Sequence, residues 1–513
     1  MQGVLWKCLF TGLVAGVGAL LLQYLWGVLK RWLRKDLPPG PSGLPLLGCL
    51  FFMPKDHRGV EVFRKKYGNV FGLQLGSRYV VFLCDFDSVK EAFSQDALLN
   101  RPEEFPFKVH EQSQGLMLIN GPLWRLQRRF SLKVFKNLGV TTPAMERHIR
   151  EELSYLIREL ESLENKSVVP STLLTPSTSN IISALVFGRR FEYDDPERIY
   201  LDQLIEVIPA LAAQAAAINF FPRLRKLFVF FRMGACERLR DALARREDFA
   251  DSKINEHEDT YKDGLVRDYI DGFLSEMKEN ECFTRNLLRG NVSTFFGAGS
   301  ETVRSSIEWL LLTCAAKPEL QQRIHAEIDA FLQRNQSSHI LWSERNQMPY
   351  TQAFIWETMR YKPVVPLNIM RYADADVRAG GYVIPRGSIV IASIWSIFHD
   401  KSFWGDPEVF RPERFLVDDE TRQLKPEQFI PFSYGKRSCP GELIANMEEF
   451  IYFTTILQHF TIEAPPDSPP LVFDEIPGLS LRPKPQELVF RPRFSKHLST
   501  HNEPRVKPAQ KRL

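Results

Sequence analysis

The most constraining stretch of this 513-residue chain is Phe432-Ser-Tyr-Gly-Lys-Arg-Ser-Cys-Pro-Gly-Glu442. Cys439 stands there between Gly435 and Gly441, two residues after Arg437, and an apolar, helix-compatible run follows from Leu443 to Phe453. The thiol is therefore expected on a tight loop that opens into a helix. Amide groups and the positive end of the helix dipole stabilise a thiolate in such a place and lower its pKa, which suits an axial ligand to haem iron. The two glycines would let backbone pass a flat macrocycle with no Cβ in the way. Phe432 would shield the sulfur from water, and Arg437 carries a permanent charge that can grip a carboxylate with two hydrogen bonds. A lone cysteine is more often a small buried apolar side chain; the joint spacing is what points to a ligand.

The seven cysteines, at 8, 49, 84, 236, 282, 314 and 439, have no C-x-x-C spacing. That argues against a disulfide framework and a zinc site, and for a folded part facing a reducing compartment. A net charge of +4, well mixed with acids, gives no reason to expect nucleic acid as a partner. From Cys8 to Leu29 no charge interrupts the chain, and about 22 such residues are enough to cross a bilayer core of ~30 Å as a helix. Lys30, Arg31, Arg34 and Lys35 follow at once and would hold that end in the cytoplasm. Only Lys7 precedes the run, so an uncleaved anchor is expected in place of a secretory peptide. The expected organisation is a transmembrane signal anchor over 1–29, a basic and proline-rich linker over 30–43, a catalytic domain over 44–494, and a disordered basic tail over 495–513.

Within the domain, alternation predicts a hairpin with arms Val70 to Leu75 and Arg78 to Leu83 around Gly76-Ser77. Helical periodicity dominates elsewhere: Glu146 to Leu163, Arg238 to Glu256, Leu287 to Ala316, Pro318 to Arg334 and Pro349 to Tyr361. Short strands are expected around Tyr382 to Val390 and near Val489. The fold class is mainly α with small β-sheets. The segment Asn219 to Arg232 mixes aromatics with cations and fits either an interfacial membrane contact or a core helix with snorkelling arginines.

Phe295-Phe-Gly-Ala-Gly-Ser-Glu-Thr302 falls inside the long helix. Two mid-helix glycines cost about 1 kcal/mol each and ask for a reason, such as a planar ligand or a helix crossing. Thr302 stands four residues after Ala298 and can bond its carbonyl, with Glu301 beside it as an acid. Arg304 is unusual in so apolar a helix. Glu357 and Arg360 share a helix face at i and i+3, and Trp124 and Arg128 at i and i+4.

Taken together, F-x-x-G-x-R-x-C-x-G, A-G-x-E-T, E-x-x-R, P-E-R-F at 412–415 and W-x-x-x-R resemble, in order and spacing, the haem-thiolate cytochrome P-450 superfamily, specifically its microsomal animal branch of drug- and steroid-metabolising enzymes. The resemblance runs from the anchor to about Phe494. It implies a cytochrome P-450 fold preceded by one transmembrane helix, with haem b bound through Cys439. Arg101, Trp124, Arg128, Arg371 and Arg437 would serve the propionates. Thr302 and Glu301 would serve oxygen activation and proton delivery, on a helix crossing the distal face beside Ala298. Glu357, Arg360 and Arg414 would form a structural network. The substrate-recognition segments of the family would place Phe105, Phe107, Leu118, Leu211, Phe220, Val292, Phe295, Phe296, Val365, Leu367, Ile369 and Leu488 around a lipophilic substrate.

The resemblance further implies a monooxygenase of the endoplasmic reticulum membrane using O2, with the catalytic domain cytoplasmic. Electrons would come from NADPH through a separate flavoprotein reductase, with cytochrome b5 as a second donor, docking on a basic face that includes Arg125, Arg129, Lys133 and Lys436. Xenobiotic, steroid and fatty acid all stand open as substrates. Two alternatives are a haem-thiolate isomerase or dehydratase that needs no reductase, and a membrane-anchored haem or steroid binder without catalysis.

Overall fold

The computed structural model describes residues 33–53, 56–102, 115–476 and 478–494, with a few single positions before residue 33. Most of the expected anchor, Phe105, Phe107 and the basic tail lie outside the described residues. Among the described residues no helix is long and apolar enough to cross a membrane.

The hairpin arms pair as antiparallel strands from Val70↔Leu83 to Leu75↔Arg78, and Gly76 takes the positive φ that so tight a turn demands. Ile389–Ala392 then joins Arg78–Leu83 in parallel, with Val80 opposite Ile389, and Arg371–Tyr372 closes the far edge. The sheet therefore fixes the backbone of Arg371. The stretch Tyr382 to Val390 is two strands in different sheets, Tyr382–Ile384 and Ile389–Ala392. A turn with Gly387 at φ 88° separates them.

Helix makes up most of the rest. Pro349–Tyr361 has the predicted bounds, and the long central helix runs Arg285–Ala316. Its neighbours Ser171–Phe187, Gly234–Thr260 and Glu442–His459 cover it on several sides. A helix so enclosed needs no apolar stripe. Trp309, Leu310 and Leu311 have no exposed surface.

Helix Ser171–Phe187 has no counterpart in the periodicity, because Pro176 and a run of hydroxyl residues interrupt the apolar pattern. It forms because the tertiary setting satisfies those hydroxyls. Thr178 donates to the Leu174 carbonyl at 2.9 Å, Ser183 to that of Ser179 at 2.7 Å, and Ser177 bonds the Tyr452 hydroxyl at 2.8 Å.

The aromatic and cationic segment becomes a 3-10 turn, Ala216–Phe220, and a short helix, Pro222–Phe230. Phe230 and Phe231 are 78% and 60% exposed, and Leu224, Leu227 and Met233 are exposed beside them. Phe228 and Val229 pack against an apolar cluster on the other side, so the helix is amphipathic and not fully buried in the core. Ser77 donates from its amide and hydroxyl to the Phe220 carbonyl at 3.0 and 3.1 Å, while the Gly76 amide donates to Leu47 at 3.1 Å. The hairpin tip thus joins this segment to a second stretch with exposed apolar side chains, Leu44, Leu46, Phe51 and Phe52.

Candidate active site

The Cys439 loop is held by the Cys439 amide donating to the Phe432 carbonyl and the Ser438 amide to that of Gly435, both at 3.0 Å. Gly441 caps the helix Glu442–His459. The Cys439 side chain keeps an accessible surface although protein encloses it closely enough to push the thiol pKa up; the Gly441 amide and Arg128 act the other way. Burial therefore outweighs the helix terminus, and the lowered pKa expected for the free thiol is not found. The role assigned to Gly435 also changes. At φ 80°, a Cβ there would fall 2.4 Å from the Phe93 carbonyl oxygen, so this glycine makes room for protein backbone. At Gly441 a Cβ would meet only the Cys439 sulfur, at 3.8 Å.

Four arginines converge beside this loop. Arg101 donates to the carbonyls of Ile369 and Met370, Arg371 to those of Leu98 and Tyr434, and Arg437 to that of Ile119 at 2.8 Å. The Arg437 guanidinium also lies 4.5 Å from the Trp124 ring centroid, with Arg128 at 5.9 Å from the same ring. Arg101, Arg371 and Arg437 are buried. Nε of Arg101 and of Arg371 have no hydrogen-bond partner, and none of the four arginines pairs with a carboxylate among the described residues. Burial, with repulsion from the other guanidiniums, pushes Arg371 and Arg437 down to about 9. A guanidinium does not give up its proton inside a protein, so this arrangement is relieved by anionic groups bound among the four. Two propionates next to a cysteine ligand are such groups, and haem fits this donor set.

The facing wall is the central helix. Ala298 is exposed while Phe296 and Ser300 beside it are buried, so the helix looks onto a cleft at this level. The 115–119 segment ties this wall to the cysteine loop. Leu116 accepts Asn291 of the helix as its partner, its amide donating to Oδ1 at 2.8 Å, and Ile119 takes the bond from Arg437.

Thr302 donates to the Ala298 carbonyl at 2.9 Å. Glu301 accepts a 2.6 Å bond from the Ser480 hydroxyl. Burial raises the Glu301 pKa, against the Ser480 bond and the charges of Arg304 and Arg482. Ser480 carries no local signal of this role, because it comes from a loop 179 residues away. Gly299 serves a helix crossing, since a Cβ there would stand 3.1 Å from Ile182 of helix Ser171–Phe187. Arg304 is buried and pairs with Glu308 at 3.3 Å, leaving Nε and one terminal nitrogen without partners.

The apolar candidates separate. Val365, Leu367 and Ile369 are half-buried in the stretch before Arg371, and Phe220 is half-buried against the sheet cluster. Leu118 and Leu211 share one apolar cluster. Val292, Phe295, Phe296 and Leu488 lie in the main core instead. Phe295 packs on Phe135 and Tyr269, and Phe296 on Phe187. Leu488 bridges Val168 as an isolated β-pair.

Away from the cleft, Glu357 accepts bonds of 2.7 and 2.8 Å from Arg360 and 3.0 Å from Arg414. Glu357 and Arg360 are fully buried and Arg414 is 5% exposed. The Arg411 amide adds a fourth donor at 2.8 Å.

Known proteins resemble this chain along most of its length. The cytochrome P450 family model matches residues 38–490. Cytochrome P450 2J1 of Oryctolagus cuniculus is 33% identical over 494 residues, covering 94% of this chain and 96% of that protein. Human cytochrome P450 2J2 is 33% identical over 90% of this chain and 93% of its own length. Cytochrome P450 2G1 of Rattus norvegicus is 34% identical over 91% of this chain and 96% of its own. With a cysteine loop flanked by unpaired arginines and an acid–alcohol pair on the opposite wall, the chain belongs to the cytochrome P450 family and is a P450 monooxygenase that uses haem, O2 and a redox partner.

Proposed function

We propose that this protein inserts one atom of O2 into a C–H bond of a lipophilic substrate at the endoplasmic reticulum membrane, with electrons from NADPH passed on by a separate flavoprotein reductase. Bound haem supplies the oxygen-activating chemistry, with Cys439 as its thiolate ligand. Arg101, Arg128, Arg371 and Arg437 would hold the propionates, and Trp124 stacks against two of those cations. Phe432, whose carbonyl accepts from the Cys439 amide, would shield the sulfur. The observation that carries the reading is the pair Thr302 and Glu301 on the cleft wall: a hydroxyl at the level of Ala298, next to a carboxyl that burial brings closer to neutral pKa. Glu301 can pass a proton inward and recover it through Ser480, and Thr302 orients the delivery. Isomerisation and dehydration of a peroxide need no such pair.

Thr302→Ala is expected to lower product formation on the order of a hundredfold while peroxide release rises at the expense of water. Oxygen, NADPH and peroxide balances with purified reductase and a panel of lipophilic compounds check this. An unchanged peroxide fraction in a folded variant counts against the proton route.

Arg129 and Lys133 are exposed, with no carboxylate partner among the described residues, while Arg125 and Lys436 share Asp96 at 3.0 and 2.7 Å. This face supports docking of an acidic flavoprotein, with cytochrome b5 as a competing partner. The apolar run before residue 30 supports an anchor, and Phe230 and Phe231 support a second contact with the bilayer. In Phe230→Trp, the added fluorescence is expected to be quenched strongly by brominated phospholipid. Emission equal in brominated and plain vesicles rejects the second contact.

A further inference from the structure

Helix Gly234–Thr260 packs across the central helix and brings Arg246 to Gly297. One terminal nitrogen of Arg246 lies 3.4 Å from where a Cβ on Gly297 would stand. Gly297 immediately precedes Ala298, the exposed position on the cleft wall, and is itself half-buried. A larger residue at 297 would press on the guanidinium, and glycine leaves it room.

The cation has no ion-pair partner there, although the neighbouring Glu247 carboxylate attracts it. Its Nε is buried without a hydrogen-bond partner, and among the described residues no carboxylate pairs with it. Among the acids nearby in sequence, Glu247 also faces Arg289 at 3.8 Å, Asp248 is exposed, Asp251 pairs with Arg289 at 2.9 Å, and Asp241 pairs with Arg240 at 3.3 Å. Burial pushes Arg246 down to about 10, which leaves it charged at neutral pH. A half-buried charge without an ion-pair partner is costly to keep.

The surroundings are apolar. Ala242 and Leu243, one turn earlier on the same face, belong to a cluster with Leu118, Leu204, Ile208 and Leu211, against which Ile369 packs. One fixed cation in an apolar roof recognises a molecule with one negative end and a long apolar body. The planar fork of an arginine matches a carboxylate in two parallel bonds.

We propose that Arg246 anchors the acidic end of the substrate, so that the preferred substrates are lipophilic carboxylates. The proposal rests on the cleft being the substrate site of the monooxygenase, and it is tested by binding alone. Dodecanoate and dodecan-1-ol are titrated into the full-length holoprotein at neutral pH, followed by the substrate-induced Soret shift and by calorimetry. The wild type is expected to bind dodecanoate more tightly by on the order of tenfold to a hundredfold. Arg246→Met brings the ratio of the two affinities close to one, and Arg246→Lys restores part of it.

A wild type without preference, or an Arg246→Met variant that keeps the preference with an intact ferrous carbon monoxide spectrum, overturns the proposal. A carbon monoxide adduct lacking the red-shifted thiolate Soret band in the wild type overturns the monooxygenase reading instead. The calorimetric ratio still reports on Arg246 in that case.

Discussion

Cys439→Ser is expected to give a folded chain whose ferrous carbon monoxide adduct lacks the strongly red-shifted Soret band, with monooxygenase turnover lower by at least about a thousandfold, or ~4 kcal/mol in barrier. Serine nearly preserves size, and the loop is set by backbone bonds from Cys439 to Phe432 and from Ser438 to Gly435, so the local fold has no reason to change. What changes is charge. A hydroxyl stays protonated where a thiol can ionise on binding metal, and the electron donation of the thiolate is lost. Arg128 also loses the negative neighbour that an ionised Cys439 gives it. Haem content, measured separately, is expected to fall less than turnover, because propionate contacts survive. Wild-type spectrum and turnover in the serine variant would remove Cys439 from the site.

Glu357→Ala is expected to abolish accumulation of folded, haem-loaded protein. Glu357 is buried with Arg360 and Arg414 both bonded to it, so its removal strands the Arg360 guanidinium in the interior and leaves Arg414 only Asp406 as an ion-pair partner, at 3.3 Å. Breaking a buried pair from one side costs about 3 to 5 kcal/mol, a large part of the 5 to 15 kcal/mol that holds a typical domain together. Arg360 retains the carbonyls of Phe398 and Pro407, which compensate hydrogen bonds but not charge. The contrasting change is Glu408→Ala, whose partner Lys401 is 72% exposed; this is expected to alter stability by less than about 1 kcal/mol. Haem-loaded yield and urea midpoints of the two variants make the comparison. Equal effects would mean that burial of the Glu357 network contributes nothing.

How far these residues could be read in advance depended on where their partners come from. The hairpin was legible because alternation and Gly76-Ser77 are local, and Thr302 because its acceptor, Ala298, is one turn away. Glu357 and Arg360 were legible as a pair for the same reason, and Arg414 only through its motif. Gly435 and Gly299 are small for reasons that depend on Phe93 and Ile182, brought in from distant parts of the chain. Phe296 and Leu488 are apolar as pocket residues would be, and only the packing tells that they face Phe187 and Val168. Arg246 sits in a run with Arg240, Arg245 and Glu247 that reads as a solvated helix face. Its one sign is the glycine opposite, and nothing in the sequence pairs the two.

The hairpin tip that bonds both Leu47 and Phe220 acts as a two-point mount. If Phe51 and Phe52 on one side and Phe230 and Phe231 on the other enter the same lipid leaflet, the domain has no freedom to roll about its tether, because a single rigid turn sets both depths. The cleft mouth would then keep a constant tilt toward the hydrocarbon. Compounds would reach it from their dissolved fraction in lipid, so apparent KM would follow the lipid-to-water ratio of the assay more closely than the total concentration added.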